Sequence, residues 1–225
     1  MARWSPAIAM AEDDVTSGRV VLDQLRVRLG RALERHNLQG AENALDELFA
    51  FGTEVALAEV ILPCLEALEA GQQRRPDVAQ EQFARGLLER RLLSLASGWD
   101  HGGGRTAVIA CPPLETNPIY AIASGLVLRR RGWRIAYLGA GTSIRRTRAL
   151  AGQLRADAVV MAADDPAHFR SSRLALARLA ARHALVITGP GAEPDLETGI
   201  SAALLHTDPV AAAIDLDGVV FTPAG

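Results

Sequence analysis

Chemically active side chains follow two short apolar runs in the second half of the chain. Cys111 ends the first run, with a proline next, and Glu115 and Asn117 come soon after. Asp164 and His168 follow the second run. A thiolate followed by proline is a recurrent heme-ligand arrangement, a neutral imidazole is a common metal ligand, and carboxylates can serve general acid–base catalysis. The residue types therefore suggest metal ligation or acid–base chemistry.

Each of these residues also has a simpler interpretation, which we favour. A cysteine at the end of a strand is most often a buried core residue, so Cys111 is expected to be inert. A lone histidine such as His168 or His101 is usually a surface or capping residue. Asp165, which precedes a proline, is more simply a helix N-cap than half of a catalytic pair with Asp164. No Cys-x-x-Cys or His-x-x-His spacing exists, so we expect no structural zinc site.

Short apolar runs alternate with helical patterns through the second half of the chain. Bounded by glycine, proline or aspartate, these runs are typical of strands buried between helices. The order of strand and helix, with right-handed crossovers, predicts an α/β fold with a flavodoxin-like (Rossmann-like) doubly wound parallel sheet. A short strand near 204–206 and a closing helix are expected last. The main predicted strands are 106–111, 134–138, 158–162 and 184–188, and the predicted helices are 119–131, 143–154 and 168–182.

Ligands on such sheets bind at the carboxyl ends of the strands. We therefore expect ligand contacts in the loops that follow the predicted strands. One of them contains Gly139, Thr142 and Ser143, and could accept an anion at the start of a helix. Thr142 or Ser143 as an ordinary N-cap is the simpler explanation of that loop. The four loops are 112–117, 139–143, 164–168 and 189–194.

Helical periodicity dominates the first half of the chain. Residues 1–16 are expected to be disordered, and four helices with short connections follow. They predict an antiparallel four-helix bundle over 17–97, whose third helix should kink at Pro63. Residues 98–104 include three consecutive glycines and predict a flexible hinge. The α/β domain is then expected over 105–225.

Composition excludes several classes of function. All 24 basic residues are arginine, which removes Schiff-base chemistry, a lysine general base and the phosphate-binding lysine of a P-loop. The net charge of -2 provides no overall attraction to nucleic acid or anionic lipid. Two cysteines are too few for a disulfide framework, and no apolar stretch is long enough to span a membrane. We expect a cytoplasmic protein without membrane contact.

The segment after the first predicted strand carries a recognisable motif. It reads Glu-Thr-Asn-Pro-Ile-Tyr over 115–120, and Leu-Arg-Arg-Arg-Gly-Trp over 128–133 and Tyr-Leu-Gly over 137–139 follow. With a helical bundle before it, this series resembles the cobalamin-binding module of methionine synthase, corrinoid methyl-carrier proteins and MerR-type B12-dependent light-sensing regulators. That family carries Asp/Glu-x-His-x-x-Gly, whose histidine ligates cobalt. Here Asn117 stands at the histidine position and Tyr120 at the glycine position.

The bundle resembles the cap of the light-sensing regulators, in which a Glu-His pair faces the upper side of the corrin. The resemblance aligns Glu81 and Gln82 with that pair, so that glutamine replaces the histidine. The family's Gly-Gly after the fourth strand, which belongs to its tail-nucleotide site, is interrupted here as Gly189-Pro190-Gly191. Together with the two changes in the first motif, these departures predict that ordinary histidine-ligated cobalamin binding has been abandoned.

The resemblance implies a pocket for a flat, largely apolar cofactor between the bundle and the strand ends. We expect a tetrapyrrole: heme, a bilin such as biliverdin, or a corrinoid (cobalamin) without histidine ligation. The protein that binds this cofactor would be a sensor or regulatory protein without its own DNA-binding domain. If the cofactor is heme, Cys111 or His168 is the candidate iron ligand. The residues expected to line the pocket are Glu81, Gln82, Glu115, Thr116, Asn117, Tyr120, Gly139, Thr142, Ser143, His168, Gly189 and Gly191.

Other functions stay open from the sequence alone. The chain could be a corrinoid or methyl-carrier component, or a diverged enzyme that uses the cavity between the domains for a small substrate, although we favour a protein without catalytic residues. It could also serve only as an interaction module. Direct DNA binding is not expected, because few residues precede the first helix. A protein partner and a homo-oligomer are both compatible with the resemblance.

Overall fold

The computed structural model describes residues 6–72, 77–101 and 103–218. The chain forms two compact units, Met1–Leu87 and Leu88–Gly225, and the division falls inside the helix Val78–Ser94. Of the glycine-rich segment predicted as a hinge, Gly102 lies outside the described residues. None of the described helices is both long and apolar enough to cross a lipid bilayer.

Helices make up the described part of the first unit. The first helix begins within the segment 1–16, for which the sequence predicts disorder, and residues 1–5 of that segment lie outside the described residues. The apolar stripe of this helix marks only its buried face, so it does not locate the helix start. The helices are α1 (Pro6–Glu34), α2 (Leu38–Phe49), α3 (Thr53–Val55), α4 (Leu62–Gln72) and α5 (Val78–Ser94), the last of which continues into the second unit.

Local sequence explains how α2 begins and which face it buries. The Asn37 side chain accepts a hydrogen bond from the Gly40 backbone N–H at 3.0 Å, which satisfies one of the unpaired donors at the start of the helix. The buried residues of α2 recur at helical spacing, as the apolar pattern predicts. They are Ala41, Ala44, Leu45 and Leu48.

Pro63 lies shortly after a π-helical turn, Ala56–Ile61, that joins α3 to α4. In this turn the Leu62 backbone N–H bonds to the Leu57 carbonyl, five residues earlier. A proline inside a helix has no N–H to donate, and its ring collides with the carbonyl four residues before it. The wider π turn provides an alternative hydrogen-bonding register immediately before that position.

A five-stranded parallel sheet forms the centre of the second unit, which confirms the predicted α/β fold class. The strand order is β2-β1-β3-β4-β5. The four main strands agree with the predicted runs to within one residue, and the short fifth strand is also present. The strands are β1 (Thr106–Ala110), β2 (Arg134–Gly139), β3 (Ala158–Ala162), β4 (Ala184–Thr188) and β5 (Leu204–His206).

The helix predicted over 168–182 is instead two helices. The break falls at Ser172, which adopts φ -105° and ψ 5°. Ser171 and Ser172 are adjacent, and serine competes with helical hydrogen bonding: the Ser171 hydroxyl donates to the His168 carbonyl at 2.9 Å. The helices of the second unit are α6 (Ile119–Arg130), α7 (Ile144–Leu154), α8 (Pro166–Ser171), α9 (Arg173–Ala180), α10 (Glu197–Ile200) and α11 (Pro209–Gly218).

The sheet is covered on both faces, and its connections diverge between β1 and β3. Helices α7 and α9 pack together over one cluster of buried residues, which includes Val159, Phe169 and Leu185. Helices α6 and α11 pack against each other. Since right-handed crossovers lead from β1 to β2 in one direction and from β2 to β3 in the other, α6 and α7 cover opposite faces. The carboxyl ends of β1 and β3 therefore border the crevice in which ligands bind on such sheets.

The loops after β3 and β4 make close backbone contact. Gly189 has φ +94°, and a Cβ there would overlap the Ala163 carbonyl oxygen. A Cβ on Gly191 would lie 2.7 Å from the Asp165 carbonyl carbon. The glycines at these positions are thus required by backbone packing, and at Gly189 by conformation as well.

Replacing Gly189 with alanine is expected to lower the free energy of unfolding of the second unit by more than about 1 kcal/mol, because it adds both a steric overlap and left-handed strain. Gly152 is the matched control, since it lies on α7 and a methyl group added to it would meet no atom within 4 Å. Gly152→Ala is expected to stabilise the unit by about 0.5–1 kcal/mol through helix propensity. Urea denaturation followed by circular dichroism measures both, and equal effects would contradict this explanation.

Candidate functional site

A single buried carboxylate joins the loops that follow β1 and β3. Glu115 is 0% exposed. One of its oxygens accepts the Asn117 backbone N–H at 2.6 Å, and the other accepts the Asp164 backbone N–H at 2.8 Å. That second oxygen also lies 3.1 Å from Nδ1 of His168. The crevice between β1 and β3 therefore has one hydrogen-bonded centre shared by both loops.

Opposing influences act on the Glu115 carboxyl group. Burial raises its pKa most, and the nearby negative charge of Asp164 raises it further. The backbone N–H groups of Asn117 and Asp164 act in the opposite direction, because they stabilise the carboxylate. The net direction is an increase in the pKa of Glu115.

Asn117 is occupied by local hydrogen bonds at both ends of its amide. Its oxygen accepts the Ile119 backbone N–H at 3.2 Å, at the start of α6, and its side-chain nitrogen donates to Asp164 at 3.3 Å. The residue is 1% exposed. Asn117 therefore bonds to the first N–H of α6 and holds a carboxylate, which is a structural use of the position that the family motif gives to a metal ligand.

His168 lies at the opposite side of the crevice, in the first turn of α8. The Asp165 side chain caps this helix by accepting the Ala167 backbone N–H at 2.7 Å, as the sequence predicts. Besides its contact with Glu115, Nδ1 of His168 is 4.0 Å from Asp164. The His168 side chain is 20% exposed, and its Nε2 has no hydrogen-bond partner among the described residues.

Glu115, Asp164 and His168 form a compact group of ligand-type atoms. One oxygen or nitrogen from each lies within 4.8 Å of the others. Local sequence presents Asp164 as half of an Asp-Asp pair and His168 as an isolated residue. Their association with Glu115 could be found from the sequence only by noting that the loops after adjacent parallel strands meet at one edge of the sheet.

Cys111 is fully buried at the end of β1, as its simpler interpretation predicts. Its sulfur lies 4.0 Å from the Asn117 carbonyl oxygen. Burial strongly raises the pKa of this thiol, and the negative charges of Glu115 and Asp164 raise it further. Without a metal ion, this arrangement therefore favours the protonated thiol of Cys111 over the thiolate.

The loop after β2 reaches the same centre. The Gly141 backbone N–H bonds to the Glu115 carbonyl at 2.8 Å, and that of Thr142 bonds to the Cys111 carbonyl at 3.2 Å. The Thr142 hydroxyl lies within hydrogen-bond distance of the Leu138 and Gly139 carbonyls at the end of β2. Ser143 is the N-cap residue of α7, but its side chain makes no capping hydrogen bond. The structure thus brings the predicted 139–143 loop beside the Glu115 loop.

The remaining predicted site residues have different surroundings. Thr116 is exposed on the Glu115 loop, whereas Tyr120 is fully buried in α6. Gly189 and Gly191 pack against the loop after β3, as described above. In the first unit, Glu81 pairs with Arg85 at 3.1 Å and Gln82 is exposed. Their predicted role in a pocket shared with the second unit stays a prediction.

Comparison with known proteins gives a consistent result, although no family model matches the chain. The HTH-type transcriptional repressor CarA from Myxococcus xanthus is 26% identical over 209 residues, covering 91% of this chain and 71% of the relative. The monomethylamine corrinoid protein of Methanosarcina barkeri superposes with a TM-score of 0.73 at 14% identity, over 88% of this chain and 99% of that one. The fold is that of a B12-binding module. This confirms the resemblance that the 115–139 segment indicates.

Two further solved structures superpose less closely. A cobalamin-binding protein from Desulfitobacterium hafniense has a TM-score of 0.48 at 13% identity, over 86% of this chain and 97% of that one. The methanol:cobalamin methyltransferase complex MtaBC from Methanosarcina barkeri has a TM-score of 0.47 at 11% identity, over 97% and 93%.

Replacing Glu115 with glutamine is expected to lower the free energy of unfolding of the second unit by about 1–3 kcal/mol. The change turns one acceptor oxygen into an N–H2 donor, which must then face another donor. Urea denaturation followed by fluorescence of Trp99 and Trp133 measures the effect. Glu193→Gln is the control, because this carboxylate pairs with Arg170 at the surface and its loss should cost less than about 1 kcal/mol. Equal losses in both variants would contradict the central role of Glu115.

The Cys111 thiol is expected to resist alkylation in the folded protein. In a Cys64→Ser variant, Cys111 is the only thiol, and its reaction with iodoacetamide should be at least about tenfold slower than in urea-unfolded protein, since a higher pKa leaves less thiolate. Rapid labelling of the folded variant would show that Cys111 is accessible and reactive, contrary to its position here.

Proposed function

We propose that this protein binds a corrinoid over the carboxyl ends of its strands, at the crevice between β1 and β3. The observation that carries the proposal is the group of Glu115, Asp164 and His168 at this crevice, in a fold shared with a corrinoid protein over 88% of the chain. In open α/β sheets this is the position at which ligands bind.

Residues at the strand ends fit such a ligand. A corrinoid is a flat, mostly apolar ring with amide side chains, and it needs polar partners around an open edge. Thr116 is exposed at this edge, and the Thr188 hydroxyl at the end of β4 is buried with no hydrogen-bond partner among the described residues.

The corrinoid is favoured over heme or biliverdin for two reasons. A solved protein that superposes on 88% of this chain with a TM-score of 0.73 is a corrinoid protein by name. The heme alternative relied partly on a Cys111 thiolate, which burial and two neighbouring carboxylates disfavour.

A regulatory role agrees with the sequence relationship. The repressor CarA is related over 91% of this chain, so both units have counterparts in that regulator. In the proposed role, corrinoid binding changes which conformation of the chain is populated, and a partner protein or a second copy responds to that change.

Blocking the edge of the sheet is expected to weaken corrinoid binding. Thr116→Trp adds bulk at the exposed loop after β1, so aquocobalamin affinity should fall at least about tenfold, or about 1.4 kcal/mol. Gln153→Trp makes the same change on the exposed surface of α7, away from the carboxyl ends of the strands, and should leave affinity unchanged.

The measurement is titration of the full chain with aquocobalamin, followed by desalting and absorption spectroscopy. Parallel titrations with hemin and biliverdin test the alternative tetrapyrroles. The proposal predicts about one corrinoid retained per chain and a loss in the Thr116→Trp variant alone. Retention of hemin or biliverdin with no corrinoid bound would overturn it.

A further inference from the structure

We infer that His168, held by Glu115, supplies the axial nitrogen ligand to the cobalt of the bound corrinoid, in place of Asn117. This inference rests on the proposed corrinoid-binding function. It assigns the ligand to the loop after β3 rather than to the loop after β1, where the family motif carries its histidine.

The pairing of Glu115 with His168 is the arrangement that orients a metal-binding imidazole. Metal-ligating histidines almost always donate the N–H of their other ring nitrogen to a carboxylate, a backbone carbonyl or water. Here the Glu115 oxygen lies 3.1 Å from Nδ1 of His168. When Nδ1 carries the proton and donates it to Glu115, Nε2 keeps the lone pair that binds a metal.

Asn117 cannot serve as an equivalent ligand. Its amide oxygen and nitrogen are both used, by the Ile119 backbone and by Asp164. An amide nitrogen has no available lone pair for a transition metal, whereas imidazole is a good ligand. Asn117 instead holds the Asp164 carboxylate, which lies 4.0 Å from Nδ1 of His168. Asn117 thus contributes a hydrogen bond between the two loops.

The backbone around His168 is fixed by several hydrogen bonds. Its own N–H bonds to the Asp165 carbonyl at 3.1 Å, and its carbonyl accepts the Ser171 hydroxyl at 2.9 Å. With Nδ1 held by a carboxylate that is itself fully buried, little side-chain freedom remains. A pre-positioned ligand loses less entropy on binding the metal.

The other four histidines lack this combination of position and pairing. His36 belongs to the first unit, where its ring lies 5.1 Å from that of Phe83. His101 is 78% exposed, His183 precedes β4 at the opposite end of the sheet, and Nδ1 of His206 already accepts the Asp208 backbone N–H. Of the five histidines in the chain, His168 alone lies at the crevice between β1 and β3.

Electron paramagnetic resonance of the Co(II) corrinoid tests the ligand directly. The full chain is loaded with cobinamide, which lacks the nucleotide base, so that a nitrogen coupled to cobalt along its axis can come only from protein. We expect each cobalt line to be split into a triplet by ¹⁴N. Protein grown with ¹⁵N-histidine should give a doublet instead. Cob(II)alamin, which carries its own nitrogen base, is measured in the same way. That base keeps ¹⁴N in protein grown with ¹⁵N-histidine, so its triplet is distinguishable from the doublet of a histidine ligand.

Two histidine variants and one glutamate variant complete the test. His168→Ala should still bind cobinamide but lose the nitrogen splitting, whereas His101→Ala should keep it. In Glu115→Gln the fraction of cobalt with nitrogen splitting should fall, since loss of a carboxylate partner typically lowers metal affinity about 10–100-fold. A purely structural role of Glu115 would lower stability without changing the splitting.

The outcomes separate this inference from the proposed function. Binding of either corrinoid without a ¹⁵N-histidine effect, or splitting that persists in His168→Ala, overturns the ligand assignment and leaves corrinoid binding intact. Undiminished splitting in Glu115→Gln overturns the positioning role of that residue. A chain that binds neither cobinamide nor cobalamin contradicts both proposals.

Discussion

The arrangement of the second unit's crevice depends on the burial of one carboxylate. Removing Glu115 from water carries a large desolvation cost, which only hydrogen bonds or a partner charge can offset. The donors come from two loops: the Asn117 N–H after β1, and the Asp164 N–H and His168 ring after β3. The chain leaves β1 and β3 towards opposite sides of the sheet, and these hydrogen bonds join the two loops, together with the one from Asn117 to Asp164. Glu115 therefore fixes both edges of the crevice in relation to each other.

Asn117 has consequences beyond the loss of a histidine. Its amide joins the start of α6 to Asp164, so the residue contributes to the same connection between the two loops. The substitution is compatible with a site that has been rearranged around Glu115 rather than simply depleted.

Much of the second unit can be predicted from the sequence because buried parallel strands are nearly continuous apolar runs with clear boundaries. Each strand end therefore places its loop correctly. The break at Ser172 could not be predicted because helical periodicity continues across it. The start of α1 could not be predicted because the apolar stripe of this helix begins later than the helix itself. The position of Cys111 alone is enough to identify it as a buried core residue.

The association of Glu115 with His168 cannot be derived from local pattern. The two residues are separated by 53 positions in the chain, and only the strand order brings their loops together. Motif comparison also directs attention to Asn117, where the expected ligand is absent, rather than to the loop after β3. Whether a lone histidine is structural or functional depends on its neighbours in space, which periodicity and spacing do not provide.

The close contact between the loops after β3 and β4 limits how this site can diversify. Since side chains cannot be added at Gly189 or Gly191 without overlapping the Ala163 or Asp165 backbone, these two positions can present only main-chain groups. Substitution at the rim is open instead at positions such as Thr116 and Thr142, which are not confined in this way. Evolutionary change around these loops would therefore leave the two glycines fixed and act on their neighbours.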